Sequence, residues 1–513
     1  MIRVFKKNQN SNAIGKLTTV LLATYLLCPA TTAAQDSLGT SVNYDITAET
    51  AVGTGDFTAY QLATNRHHVL ATRPNTAYLR GAVNARHSFT PRLSLSAAVD
   101  AVASVHADHE FYLQQCYANL SYQSFFIEIG SRELKPAVRD DVLSSGAFAN
   151  GTNAKPVPQV HFGTSEFWNV PFTKGWLQAH FDFGYGKFMD SGYREDMFRR
   201  GGKANFSYST GALYHQKHLY FRTNPTKRFF ITAGIEHSVQ LCGTSHTLVD
   251  GKMEHKEKPA SLKAFWHVIL PLGDSHYFEN EAMEDWIYGN HVGTMTVQLG
   301  CNIDRHHQVE VYVDDPFEDG SGMRKGNGWD GLYGVQYRNK APGRQWVRGA
   351  VVEFLQTTNQ SGPLHWDGAD YPEPARSEIT DKATGNDNYY NHMFYVSYDH
   401  YGMTLGNALI TSPIYNLDGN TSFVDNRIKA WHLGVNGEIT DRLSYLVKCS
   451  YREGWGTYAM PLPKKHHSLD AMLQGQYAAG PWQISAAYAF DKGNVYGDCS
   501  TFNFKISYHG KIL

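Results

Sequence analysis

In the stretch WLQAHFDFGYG, Leu177, Ala179, Phe181, Phe183 and Tyr185 alternate with Gln178, His180, Asp182 and Gly184. A period of two sends these sets to opposite faces of a strand. LSYLVKCSYR repeats the pattern: Leu443, Tyr445, Val447, Cys449 and Tyr451 face one way, Ser444, Lys448, Ser450 and Arg452 the other, and Leu446 alone breaks it. Similar runs begin near Leu93, Phe125, Val160, Phe229, Met295, Val309, Leu332, Trp431, Leu469, Trp482 and Phe502. Strands are therefore predicted along the whole chain after its first segment.

The connections between these runs are of two kinds. Thr90-Pro91, Asn224-Pro225-Thr226, Thr440-Asp441-Arg442 and Ala479-Gly480-Pro481 are short and made of turn residues, whereas Thr357 to Asn388 and Leu405 to Asn426 are long and polar. One rim of tight turns and one of large loops is the pattern of an outer-membrane β-barrel. Closure matters because a bilayer does not tolerate unpaired strand edges. A soluble sandwich or propeller also alternates, but the polar face here carries Lys, Arg, His and Asp deep within strands, and no blade-length repeat is visible. The fold class predicted is all-β, an antiparallel transmembrane barrel. One departure is the end of the chain, KISYHGKIL, where such barrels commonly finish on an aromatic residue.

The first residues, MIRVFKKNQNSNAIGKLTTVLLATYLLCPATTAAQD, combine a basic leader with an apolar run from Leu17 to Leu27 and small residues at Thr32-Ala33-Ala34. This predicts a signal peptide over 1–34 and one mature barrel domain over 35–513, with the cell outer membrane as destination. Leu27 is bulky where a lipoprotein cysteine at Cys28 would need a small neighbour. The apolar run is also too short to span a bilayer.

Composition adds little charge chemistry. Removing the leader leaves 42 basic against 48 acidic residues, with no basic stripe for nucleic acid. Cys116, Cys242, Cys301, Cys449 and Cys499 remain, an odd set without CxxC spacing, so neither a disulfide framework nor a zinc cluster is expected. Aromatics reach 13% with 31 Tyr, which suits pleated surfaces and interfacial girdles.

Enzyme signatures fail in turn. GTSEF at Gly163 lacks the second glycine of a nucleophile elbow, and GSGMRKGNG from Gly320 to Gly328 does not complete a phosphate-binding loop. The pairs His67-His68, His306-His307 and His466-His467 point to opposite faces if they lie on strands, and HADHE at His106 is not HExxH. No catalytic residue, cofactor or metal is predicted. Sugar rings stack on aromatic faces and pair their hydroxyls with carboxylates, so Trp329 and Asp330 in GNGWDGLYG, and Trp366 and Asp367 in PLHWDGADY, are the candidate polysaccharide-binding residues. The connector SSGAFANGTNAKPVPQVHF, from Ser144 to Phe162, is predicted to fold into the lumen, with Asn153, Lys155 and Pro156 in the occluding part.

That connector, with VPFTKGWLQAHFDFGYGKFMDSGY, LYHQKHLYFRTNP, DPFEDGSGMRKGNGWDGLYGVQY and YNHMFYVSYDHYGMTLGNALITSP, resembles the capsule-assembly Wzi family in its Bacteroidetes branch, from about Asp56 to the C-terminus. Lys155 stands where the family commonly carries Arg, and Thr152 and Asn153 shift the local spacing. The resemblance implies a barrel of about 18 strands. It also implies periplasmic elements that block the lumen and a non-enzymatic, lectin-like hold on capsular or surface polysaccharide; the other partner is outer-membrane lipid. A carbohydrate-permeable porin is the alternative, resting on polar lumen residues such as His180, Asp182 and Lys448.

Overall fold

The computed structural model describes residues 39–269, 288–318, 322–360 and 387–513. Within them 18 strands form one closed antiparallel sheet. In chain order they are β1 Thr40–Thr54, β2 Thr76–Thr90, β3 Leu93–Val105, β4 Phe111–Tyr122, β5 Phe125–Ser131, β6 Gln159–Thr164, β7 Leu177–Lys187, β8 Leu213–Thr223 and β9 Phe229–Leu241. They continue with β10 Asn290–Asn302, β11 His307–Phe317, β12 Gly331–Asn339, β13 Gly349–Gln356, β14 Ile428–Glu438, β15 Leu443–Gly456, β16 Pro461–Ala479, β17 Trp482–Gly493 and β18 Cys499–Lys511. Each strand pairs with its sequence neighbours, and β1 closes the ring on β18 from Asn43↔Lys511 to Thr54↔Ser500. No wall strand is left with an open edge, which is what the hydrocarbon requires.

The two rims differ as the turn residues predict. Residues 91–92, 123–124, 224–228, 303–306, 439–442 and 480–481 make short turns at one end, where the first and last strands also begin and finish. The opposite rim carries 55–75, 132–158, 188–212 and the described parts of the connections that follow β9 and β13. Short turns mark the periplasmic end and long loops the external end.

Burial runs opposite to that of a soluble protein. Leu79, Val99, Ile127, Ile129, Phe162, Leu219 and Phe221 are exposed on the outer wall, whereas inward Asp100, Glu128, His161, Asp182 and Glu353 are buried. Outward Tyr333, Phe354, Trp431 and Tyr451 stand directly opposite one another on four successive strands. Near the periplasmic end Tyr44 stacks on Tyr508, which meets Trp482 edge-on. These are the aromatic girdles of a membrane wall. Among the described residues no helix is long and apolar enough to cross a membrane.

One expectation is corrected. The sequence separates Thr357 to Asn388 from Leu405 to Asn426 as two loops, but among the described residues no wall strand stands between them, and both belong to the connection between β13 and β14. Its segment Tyr389 to Met403 is rich in strand-forming residues yet adds no wall strand. Phe394 and Tyr395, neighbours that would face opposite ways on a strand, are both buried, because the segment has protein on every side. Likewise His67 and His68 are not on a strand: both have left-handed backbone, with φ 52° and 51°, in the loop after β1.

Candidate functional site

Three external loops turn back into the barrel and meet inside it. The first, 55–75, carries a single helical turn, α1 (Tyr60–Ala63), docked on inward wall groups. The Tyr60 amide donates to Asp491 Oδ2 at 2.8 Å, and Gln61 Nε2 donates to Ser450 Oγ at 2.7 Å. The second, 132–158, is the connector singled out in the sequence. Ser144 Oγ and the Ser145 amide donate to Glu353 at 2.6 and 2.7 Å, Arg139 pairs with Asp314, and Tyr214 OH donates to Asn150 Oδ1 at 2.5 Å. The third, 387–427, packs its tyrosines on the second. Tyr390 OH donates to the Phe148 carbonyl at 2.5 Å and Tyr398 OH to that of Ala149 at 2.9 Å.

Where the second and third loops touch, backbone meets backbone. The Gly151 amide donates to the Leu405 carbonyl at 2.7 Å, and a β-carbon on Gly151 would collide with the Gly406 carbonyl. A β-carbon on Gly406 would in turn strike the Phe148 carbonyl. Glycine at both places is thus a requirement of close approach. The largest buried apolar cluster among the described residues lies here, within the lumen: Phe148, Tyr389, Tyr390, Tyr395 and Tyr398 join wall residues Tyr312, Leu332 and Leu355.

Asn153, Lys155 and Pro156 occupy this junction. Asn153 is fully buried; its Oδ1 accepts from the Asn65 amide of the first loop at 3.0 Å, and its Nδ2 donates to Ser412 Oγ of the third at 3.3 Å. One side chain therefore ties all three loops. Lys155 Nζ lies 3.0 Å from the centre of the Tyr112 ring, and its carbonyl accepts from His400 Nδ1 at 2.9 Å. Burial drives its ammonium down to about 7, with Asp108 the one carboxylate pulling the other way. Pro156 is half-buried, and its carbonyl accepts from Ser131 Oγ at 3.3 Å.

Beneath these loops a polar cavity of about 530 Å³ extends toward the periplasmic turns. His161 bridges two carboxylates there, Glu128 at 3.0 Å and Asp182 at 2.7 Å, and His180 lies 2.7 Å from His218. A second cavity of about 410 Å³, lined by Arg66, Arg80, Asp100 and Lys505, adjoins it through His67 and Glu133. Among the described residues no three His, Cys, Asp or Glu side chains are placed to hold a metal ion.

At the external rim Trp329 and Asp330 part company. Trp329 is 77% exposed, while Asp330 is buried and accepts the amides of Asn359 at 2.9 Å and Gln360 at 2.7 Å. Burial lifts its carboxyl to about 6 against these bonds. Of the pair, Trp329 is the one a ligand can reach, and Asp330 clamps the loop that follows β13. Two residues that the sequence reading missed lie against that loop. Tyr458 OH donates to the Thr358 carbonyl at 3.0 Å, and the Arg427 guanidinium lies 3.8 Å from the Tyr458 ring centre, with its Nε lacking a hydrogen-bond partner. Arg427 and Tyr458 are 31 positions apart on either side of the β14–β15 hairpin, so no local spacing signals them. Trp366 and Asp367 lie outside the described residues.

No family model and no curated protein matches the chain. Solved structures do. The chain is similar to Wzi, an outer-membrane protein of group 1 capsule assembly in Escherichia coli described as a carbohydrate-binding β-barrel, at a TM-score of 0.53 and 10% identity over 98% of this chain and 89% of that one. It is also similar to OccK5 (OpdH) of Pseudomonas aeruginosa, at 0.46 and 8% over 93% and 99%, and to OprD of the same organism, at 0.44 and 9% over 92% and 96%. The likeness to Wzi extends to the fold: this is a barrel of the outer-membrane type.

Proposed function

We propose that this protein is a non-enzymatic, lectin-like barrel that holds capsular or surface polysaccharide at the cell surface, as a relative of the Bacteroidetes branch of the Wzi family. The observation that carries this reading is exposed Trp329 at the external rim, next in sequence to the Asp330 that clamps the loop after β13, above a lumen packed with buried tyrosines. On this reading a sugar ring stacks on the exposed indole of Trp329. On this reading the three inward loops obstruct passage through the lumen, and the work of the molecule is done at its rim. Similarity to a carbohydrate-binding barrel supports the same reading.

Capsule retention on washed cells tests it. Cells lacking this protein lose surface polysaccharide to the medium, and cells carrying Trp329→Ala lose an intermediate amount with the barrel still assembled. Full retention in both would contradict the proposal. The second reading, a carbohydrate-permeable porin, draws on the polar cavity of about 530 Å³ around His161, Asp182 and Lys155. It requires the loops to move aside, and saccharide-dependent current in planar bilayers would favour it.

A further inference from the structure

On β8 the outward set is Leu213, His215, Lys217, Leu219 and Phe221, because Leu219 and Phe221 are exposed on the lipid side and side chains alternate. By the same parity His237 of β9 goes with exposed Phe229 and Ile231, and His291 of β10 with exposed Val297 and Leu299. Four polar side chains thus stand on the lipid-facing wall. Lys217 is the fifth residue of β8 counted from its external end, and the Val268 carbonyl it reaches belongs to a loop from that rim.

These side chains form one connected set. Lys217 Nζ is 3.2 Å from His215 Nε2, 2.7 Å from His237 Nδ1 and 3.4 Å from the Val268 carbonyl. His215 Nδ1 lies 2.8 Å from the Gly184 carbonyl, His237 Nε2 lies 2.9 Å from His291 Nδ1, and His291 Nε2 lies 3.0 Å from the Tyr288 carbonyl. Each imidazole then has one donor and one acceptor role, which is the neutral ring. The ammonium meets only neutral acceptors, and no carboxylate of the described residues pairs with it.

A short helix, α2 (Leu262–His267), from the loop between β9 and β10 partly covers the set. Tyr185 OH donates to the Phe265 carbonyl at 2.8 Å, and Ala264 and Val268 pack on Val239 and Leu241. Leu262 and Trp266, one helical turn apart, are left 80% and 73% exposed. They continue the apolar outer wall around a cation that no carboxylate of the described residues neutralises.

We propose that Lys217 and this helix form a binding site for an outer-leaflet lipid whose headgroup carries a phosphate monoester. The phosphate takes the Lys217 hydrogen now given to Val268, the longest of the three bonds. The indole of Trp266 lies at headgroup level, where tryptophan partitions, and the acyl chains run down Leu219 and Phe221. The inference rests on charge complementarity and on continuity with the lipid-facing wall, independently of the polysaccharide reading.

Native mass spectrometry of the full-length protein, released from detergent with bis-phosphorylated lipid A, phosphatidylethanolamine or inorganic phosphate, tests it. Lipid A is expected to stay bound at one per barrel under activation that strips phosphatidylethanolamine. Lys217→Met should cut that retention about ten-fold, as loss of a charge-assisted bond does, while Lys217→Arg keeps most of it. Trp266→Ala, outside the wall, should lower retention in a barrel whose heat-modifiable migration is unchanged. It serves as the test on its own if Lys217→Met does not assemble, in which case unchanged retention in Trp266→Ala overturns the site. Equal retention in Lys217→Met, equal retention of both lipids, or binding of inorganic phosphate without lipid A would each overturn it.

Discussion

Replacing Lys155 by Met probes the lumen junction through its proton linkage. The amine sits against the Tyr112 ring with His68, His109 and His400 around it, and burial lowers it from 10.5 to about 7. Because the folded value is below the unfolded one, the unfolded chain binds the extra proton between about 7 and 10.5. Stability therefore rises with pH through that window and falls as pH drops toward 7, by about 1.4 kcal/mol per pH unit and up to roughly 5 kcal/mol in all. Cation–π attraction to Tyr112 returns only about 0.5–2 kcal/mol of this, so desolvation wins. Urea unfolding in liposomes, followed by tryptophan fluorescence at pH 7, 8 and 9, measures the slope. Lys155→Met removes that contribution, so the difference between wild type and variant should change by about 1 kcal/mol per unit. Identical slopes would refute the placement of a desolvated amine at the junction.

Other substitutions address the remaining contacts. Gly151→Val forces the second loop off the Gly406 carbonyl and should raise bilayer conductance and protease sensitivity at 132–158 without abolishing heat-modifiable migration. Asn153→Ala removes bonds to two other loops and should cost about 1–3 kcal/mol in the same urea assay. Asp330 titrates near 6, above its ordinary 3.8, so its contribution is full below 3.8 and is lost as pH rises through about 6. Asp330→Asn should flatten the pH dependence of proteolysis at the loop after β13. Trp329→Ala should leave thermal stability within about 0.5 kcal/mol and weaken polysaccharide binding.

The wall was legible because alternation has a single physical cause. His180 and Asp182 point inward between Phe181 and Phe183 as period two demands, and the Pro-containing turns at Pro91, Pro225 and Pro481 fall on the periplasmic rim. The lumen loops were harder. Tyr389 to Met403 carries the composition of a strand, yet it forms only two-residue pairings inside the lumen, Asn391–His392 with Val396–Ser397 and Asp399–His400 with Met403–Thr404. The pairing of Gly151 with Gly406, and of Arg427 with Tyr458, depends on approaches across the barrel that no local pattern encodes. The same is true of Lys217: alternation places it outside, but only the helix from a distant loop explains how it is tolerated there.

The central claim is that the barrel binds saccharide at its rim and does not conduct it. The most direct test applies one surface polysaccharide to the purified protein on a glycan array and in a planar bilayer. The account predicts binding that Trp329→Ala weakens, together with little open current. Saccharide-dependent conductance through the wild-type barrel, with no binding on the array, would contradict it.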